Sequence, residues 1–373
     1  MSTSRITKGI ILTIIPVFVF FAVGEIMARI LFDRVTPPAG RQVLSAMLAP
    51  QSSGNEWLIY RSHPYMLYEL TPGRGETNKL GYRGDEITAA QPPDKLRILS
   101  LGGSTTWGQG ASSPGQTWSA QLEQSLQARG AAVQVINGGL SAATSAEIAA
   151  HVIHRHLALK PDIVILHVGW NDVTPLMLPD YDPSYRSLRA WKSPPLSMRP
   201  GESQWLKSAL IRVLYTWWLR NTNLLEFIVL PDVFYKISGK EASAHVATNE
   251  PVGFTRNLES IVAMFRSANA KVIFFPVPVA NREIFQRVPS PHALRTWDAR
   301  VAALSKNLKA MHVVGKKLDI PIWELDRNAL NLIHFTDHAH TNDKGHAVKA
   351  DFLVAKLCEH LAEPKHRVST TCR

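Results

Sequence analysis

Hydrophobic positions fall into three regimes along the chain. Near the N-terminus they are continuous. Gly9–Val23 carries no charge, follows Arg5 and Lys8, and continues apolar to Phe32, broken only by Glu25 and Arg29. Those two stand four apart, a spacing that pairs them on one helix face. The span is long enough to cross a bilayer, and the preceding basic residues predict a cytoplasmic N-terminus. A signal peptide cut near Ala22-Val23-Gly24 is the rival reading. A retained anchor over 1–34 is expected instead, because the apolar pattern runs past that site. Either way, the remainder of the chain is exported.

From residue 96 the regime changes to short apolar runs alternating with helical spacing. Leu96–Leu101, Ala132–Ile136, Pro161–Val168, Lys271–Val277 and Ile320–Leu325 read as five strands. The third has almost no polar alternation, as expected when both faces are buried. Helices are predicted over Gln116–Arg129, Ser145–Leu159 and about 254–268, 292–317 and 342–361. In the first, Trp118, Leu122 and Leu126 recur every four residues. Strands alternating with helices imply an α/β domain, 96–363, with a parallel sheet covered on both faces. A short tail, 364–373, follows.

Two stretches lie outside this rhythm. Residues 35–95 read as a linker and approach segment punctuated by Pro37-Pro38, Ser52-Ser53-Gly54, Pro72-Gly73 and Pro92-Pro93. Asn78–Glu86 predicts turns with a short hairpin, and no group there outranks a surface-loop reading. About 174–250 is an insertion whose Gln204–Arg220 is helical in pattern, aromatic-rich and basic at 207, 212 and 220. It reads either as a lid or membrane-surface helix, or as an ordinary amphipathic helix packed on the domain.

Composition narrows the function. A net charge of +11 is spread without long Lys or Arg runs, so it does not point to nucleic acid; mild attraction to anionic surfaces is all it supports. Cys358 and Cys372 are too few for a disulfide framework or a Cys-based metal site.

Candidate chemistry stands at the strand ends. The first strand breaks at Gly102-Gly103, followed by Ser104, which presents its hydroxyl at the carboxyl edge of the sheet, where open α/β sheets bind ligands. A helix-capping serine is the bland alternative. The second strand ends at Asn137-Gly138-Gly139 and the third at Gly169-Trp170-Asn171-Asp172. A glycine N–H and an asparagine amide there can face a developing oxyanion, although such residues are also common in turns. Asp337 and His340, three apart, can share a face, with Asp holding one ring nitrogen while the other takes a serine proton. His334, Asp337, His338, His340, Asp343 and His346 also offer a metal-site reading. Of the histidines beside Asp337, His340 is expected to act and His338 to point away.

Gly103-Ser104, Gly139, Gly169-Trp170-Asn171-Asp172 and Asp337-x-x-His340, in that order, resemble the four blocks of the SGNH (GDSL-type) hydrolase superfamily, over about residues 96–361. Gly103 stands where that family usually has Asp; Gly-Gly-Ser-Thr is a variant associated with membrane-anchored or exported members. The resemblance implies a three-layer α/β/α sandwich of flavodoxin-like type. It implies Ser104 as nucleophile, His340 as general base and Asp337 as its orienting group. The Ser104 and Gly139 N–H groups and the Asn171 side chain would form the oxyanion hole, and no metal or organic cofactor is required. The expectation is an exported, single-pass serine esterase of the cytoplasmic membrane with its catalytic domain outside, hydrolysing acyl groups on an envelope carbohydrate or lipid. An O-acyltransferase working with an envelope-assembly partner, and a non-catalytic envelope-binding protein, are the alternatives.

Overall fold

A computed structural model describes residues 3–35, 60–186, 188, 208–221, 236–278, 294–326 and 328–361. In chain order the elements used below are α1 (Thr3–Val35), β1 (Tyr60–His63), β2 (Leu67–Leu70), β3 (Leu96–Gly102) and α2 (Ser104–Trp107). They continue with α3 (Trp118–Ala128), β4 (Val133–Gly139), α4 (Ser145–His151), β5 (Ile163–His167) and α5 (Val173–Met177). Then come α6 (Ala209–Asn221), α7 (Gly239–Thr248), α8 (Val252–Ser267), β6 (Lys271–Phe274), α9 (Trp297–Leu318) and α10 (Asp343–Leu361). The chain divides into two units, Met1–Ile59 with Arg189–Val229, and Tyr60–Leu188 with Leu230–Arg373.

In the first unit, α1 runs unbroken through the whole apolar stretch. Its Ile15–Phe32 window, of mean hydropathy 2.0, is long and apolar enough to cross a bilayer. Arg29 pairs with Glu25 at 2.8 Å, as the spacing predicts. Glu25 also accepts from Ser208 Oγ and from the Ala209 and Leu210 N–H groups, at 2.6 to 2.9 Å. A carboxylate on one helix thus satisfies the open N-terminal donors of another, α6. The remainder of the expected 204–220 helix, like residues 36–59 and the 364–373 tail, lies outside the described residues.

In the second unit, four parallel strands are ordered β4-β3-β5-β6. Leu96 and Ile98 of β3 share a core with Trp118, Leu122 and Leu126 of α3 and with Leu353, Val354 and Leu357 of α10. Strand side chains alternate, so Leu99 and Leu101 serve the opposite face, and they too are fully buried. On that second side α8 packs on α4 and α9. The fifth strand position is occupied at minimum length: Phe274 N–H donates to Pro321 O at 2.9 Å and Trp323 N–H donates to Phe274 O at 2.8 Å. Pro321 has no N–H to extend the ladder. Burying the apolar side chains on both faces contributes roughly 1.5–3 kcal/mol each.

Register aligns the chemistry. Gly102 of β3 lies opposite both Gly139 of β4 and His167 of β5, so three strands end level. The approach segment is built into this unit. β1 and β2 form an antiparallel hairpin. From it Tyr68 Oη donates to Ser141 O at 2.6 Å, and Ser141 N–H donates to Tyr60 Oη at 3.2 Å. Arg97, fully buried in β3, donates to the carbonyls of Thr88, Ala89, Ala90 and Leu159. The expected Ser145–Leu159 helix is α only to His151, then widens to a π turn over Val152–His156.

Some buried polar atoms among the described residues lack such hydrogen-bond partners, and a group of them gathers at α10 and β5. Lys349 Nζ, His346 Nε2 and His167 Nε2 have no hydrogen-bond partner among the described residues. Lys349 and His346 are one helical turn apart on α10. Burial pushes the Lys349 amine down to about 7. Burial, then the Lys349 charge, pushes His167 down to about 3.

Candidate active site

The site begins with two glycines that permit close approach. A Cβ on Gly102 would stand 2.2 Å from His167 O, and one on Gly103 would stand 2.5 Å from Asn171 Nδ2. Real Cβ atoms do not occupy such space, so the chain can turn here only without side chains. Ser104 follows as the first residue of α2, a single turn closed by Gly108 in the left-handed region at φ 93°. The bland capping reading of Ser104 is not what the structure shows: Gly103, not Ser104, is the N-cap of α2.

His340 Nε2 lies 2.7 Å from Ser104 Oγ, and His340 Nδ1 lies 2.5 Å from Asp337 Oδ2. An ionised carboxylate only accepts, so Nδ1 carries the proton and Nε2 is left to accept from the serine hydroxyl. The other carboxylate oxygen, Asp337 Oδ1, accepts from the Ala339 and His340 N–H groups at 2.8 Å each. Burial by itself raises the Asp337 carboxyl. The hydrogen bond and charge of His340, with the Ala339 N–H, overcome it and hold the group well below the usual carboxylate range. The bend carrying both residues is closed by a Phe335–Thr341 bridge and precedes α10. His338 is aimed differently. Its ring packs on Trp170 with centroids 5.4 Å apart, and its Nδ1 is 3.9 Å from Asp337 Oδ1. Burial pushes it down to about 4 despite that carboxylate.

Asn171 arrives beside Gly103 and Ser104 from the β5 end, its amide donating to Ala143 O at 2.8 Å. The next residue, Asp172, is a buried brace. It accepts from Ser145 N–H and Oγ and from Tyr185 Oη, and Asn257 Nδ2 donates to the same Ser145 Oγ. Burial raises its carboxyl to about 6 against the pull of those donors.

The Gly139 N–H is already engaged. It donates to Asn137 Oδ1 at 3.0 Å, and a Cβ on this glycine would stand 2.0 Å from Trp107 N. This donor is committed within its own strand end, and the glycine exists so that α2 can lie on β4. The turn continues past it to Ala142, at φ 61°, and Ala143, whose carbonyl holds the Asn171 amide. An L-residue in the left-handed region marks a constrained turn, and nothing in its sequence singled it out.

The six residues of the metal reading do not converge. Asp343 accepts from Ser112 N–H and Oγ at 2.7 and 2.6 Å, His346 Nδ1 accepts from Trp118 N–H, and His334 Nδ1 accepts from Asn331 N–H. No group of three metal-ligating side chains occurs among the described residues.

Residues 100–348 match the GDSL-like Lipase/Acylhydrolase family. Solved structures similar to this chain include a GDSL-like lipase from Bacteroides thetaiotaomicron, 16% identical over 74% of this chain and 93% of that one, with a TM-score of 0.39. A lipase/acylhydrolase from Enterococcus faecalis is 16% identical over 70% and 95%, with a TM-score of 0.40. Est24, a carbohydrate acetylesterase from Sinorhizobium meliloti, is 12% identical over 71% and 100%, with a TM-score of 0.41. No curated protein matches the chain.

Proposed function

Because the chain belongs to the GDSL-like lipase/acylhydrolase family and is an esterase of that type, we propose that it is a membrane-tethered, exported serine esterase with Ser104, His340 and Asp337 as its triad. One observation carries the reading: a single imidazole spans Ser104 Oγ at 2.7 Å and Asp337 Oδ2 at 2.5 Å. His340 Nε2 takes the hydroxyl proton as Ser104 Oγ attacks the ester carbonyl. The imidazolium formed is stabilised by Asp337 and returns the proton to the departing alcohol. Water then repeats the sequence on the acyl-enzyme. The Ser104 N–H, at the open start of α2, and the Asn171 amide are the proposed oxyanion donors; Gly139 is not among them.

The substrate proposed is an acyl ester on an envelope carbohydrate or lipid, and the anchor is α1, which keeps the catalytic unit on the extracytoplasmic side. The test is hydrolysis of p-nitrophenyl esters, acetyl to long-chain, by the full-length protein and by Ser104→Ala. Turnover should fall by up to about 10⁶-fold in the mutant. Retention of more than about a tenth of the rate, a barrier change under roughly 1.4 kcal/mol, would remove Ser104 from the mechanism.

A further inference from the structure

The family match begins at residue 100, yet a residue well before it grips the element that carries Ser104. Arg83 is buried, with its side chain 4% exposed. Its Nη1 donates to Trp107 O at 2.7 Å and to Gly108 O at 3.0 Å. Its guanidinium carbon stands 4.7 Å over the Trp107 ring, and its Nη2 pairs with Glu76 at 2.5 Å. Trp107 and Gly108 close the one-turn helix α2. Terminal helix carbonyls have no partner within the helix, and a planar guanidinium can take two at once. Asn137 Nδ2 adds a second donor to Trp107 O at 3.2 Å.

The segment holding Arg83 is itself fastened. Asn78 Oδ1 accepts from the Leu80 and Tyr82 N–H groups, and its Nδ2 donates to Asp85 O. Bridges link Arg83 to Thr77 on one side and to Asn137 on the other. The loop is therefore an added edge beside β4 rather than a surface excursion.

We infer that Arg83 is a positioning residue of the esterase site: by holding the C-terminal carbonyls of α2 it fixes Ser104 Oγ against His340 Nε2, which makes the approach segment part of the catalytic unit. This rests on the serine-esterase reading for its consequence, though not for its geometry. A single helical turn has little rigidity of its own. Its N-terminal residue keeps a 2.7 Å contact with His340 only while the other end is pinned. Displacements of about 1 Å at a reacting group lower rates by roughly 10²-fold.

The experiment uses the full chain in detergent. Arg83→Met keeps the stem and removes every donor, Arg83→Lys keeps one charged donor, and Arg83→Ala opens space for free guanidinium. For Arg83→Met the expected result is a kcat lower by about 10- to 100-fold with KM changed less than about threefold. Phosphonylation of Ser104 by a fluorophosphonate should slow by the same factor, and guanidinium should restore Arg83→Ala at least about fivefold. A lowered melting temperature with unchanged kcat and unchanged phosphonylation rate overturns the inference: Arg83 would then serve stability alone. If Arg83→Met does not fold, Arg83→Lys decides, since unchanged kcat in that variant also overturns it.

The ¹⁵N signals of the His340 ring separate this inference from the function it rests on. They should move in Arg83→Met without any substrate. If the wild-type chain is not phosphonylated at Ser104 but the ring signals still move, the esterase reading falls and the positioning role stands. If the signals do not move, the positioning role falls.

Discussion

Replacing Lys349 by Met should stabilise the protein, and the gain should depend on pH. The side chain is wholly buried on α10, its Nζ has no hydrogen-bond partner among the described residues, and burial lowers its amine from 10.5 to about 7. His167 on β5 and His346 on α10, the histidines on which its charge acts, are pushed far down by burial, so neither titrates above pH 6. Between about pH 7 and 10.5 the unfolded chain holds the lysine proton and the folded chain does not. Stability therefore rises with pH through that window, and the full penalty is present below about pH 7. At about 1.4 kcal/mol per unit, a shift from 10.5 to about 7 withholds about 5 kcal/mol. Relaxation and water entry reduce this, and replacing buried charges by apolar side chains has gained about 1–4 kcal/mol elsewhere. Met retains the stem length and packs in its place. The expected gain is about 2–3 kcal/mol at pH 6.5, seen as a melting temperature roughly 4–6 °C higher. By pH 9.5 it should shrink to about 1–2 °C, as most of the lysine penalty has gone. Thermal unfolding of both proteins by circular dichroism at the two pH values decides. A Met variant that melts lower at pH 6.5, or a difference that ignores pH, refutes the reasoning by showing that Nζ has a partner.

Three further outcomes are expected. In kcat/KM measurements on a short-chain ester, His340→Ala should lose several orders of magnitude and Asp337→Ala somewhat less, whereas His338→Ala, which removes a ring tilted against Trp170, should lose less than about tenfold. Gly139→Ala retains the N–H but places a methyl 2.0 Å from Trp107 N; overpacking of about 1–3 kcal/mol or more should lower both melting temperature and kcat, and an unaffected enzyme would contradict the close packing of α2 on β4. Full-length protein should stay with membranes after a high-salt wash and begin near Met1; a mature N-terminus at Glu25 would show a cleaved signal peptide instead.

What could be read in advance was whatever repeats locally. The Trp118, Leu122, Leu126 spacing announced α3, and all three are fully buried. Continuous apolar runs announced β3 and β5, and the Asp337–His340 spacing announced a shared face. Pairings across long separations left no local trace. Arg83 meets Trp107 through a loop whose turns looked like surface, and Asp172 meets Ser145 and Tyr185 only because three elements converge. The packing of Gly139 against α2 was not legible either, because a glycine at a strand end serves close packing as readily as it serves an exposed donor. Lys349 interrupts an apolar helical face, which periodicity alone smooths over.

The separation between Ser104 and His340, 236 positions, carries a temporal consequence. A ribosome adding about 5–20 residues per second needs roughly 10–50 s to go from the codon for the serine to that for its base. During that interval the serine of the proposed triad has no base, and the growing chain cannot yet cleave an ester. The helix after His340 must also be made and seated, since α10 closes the sheet face against α3. On the proposed triad, reactivity is thereby a property of the chain only once it extends past His340, and a premature stop before residue 340 releases an inert fragment.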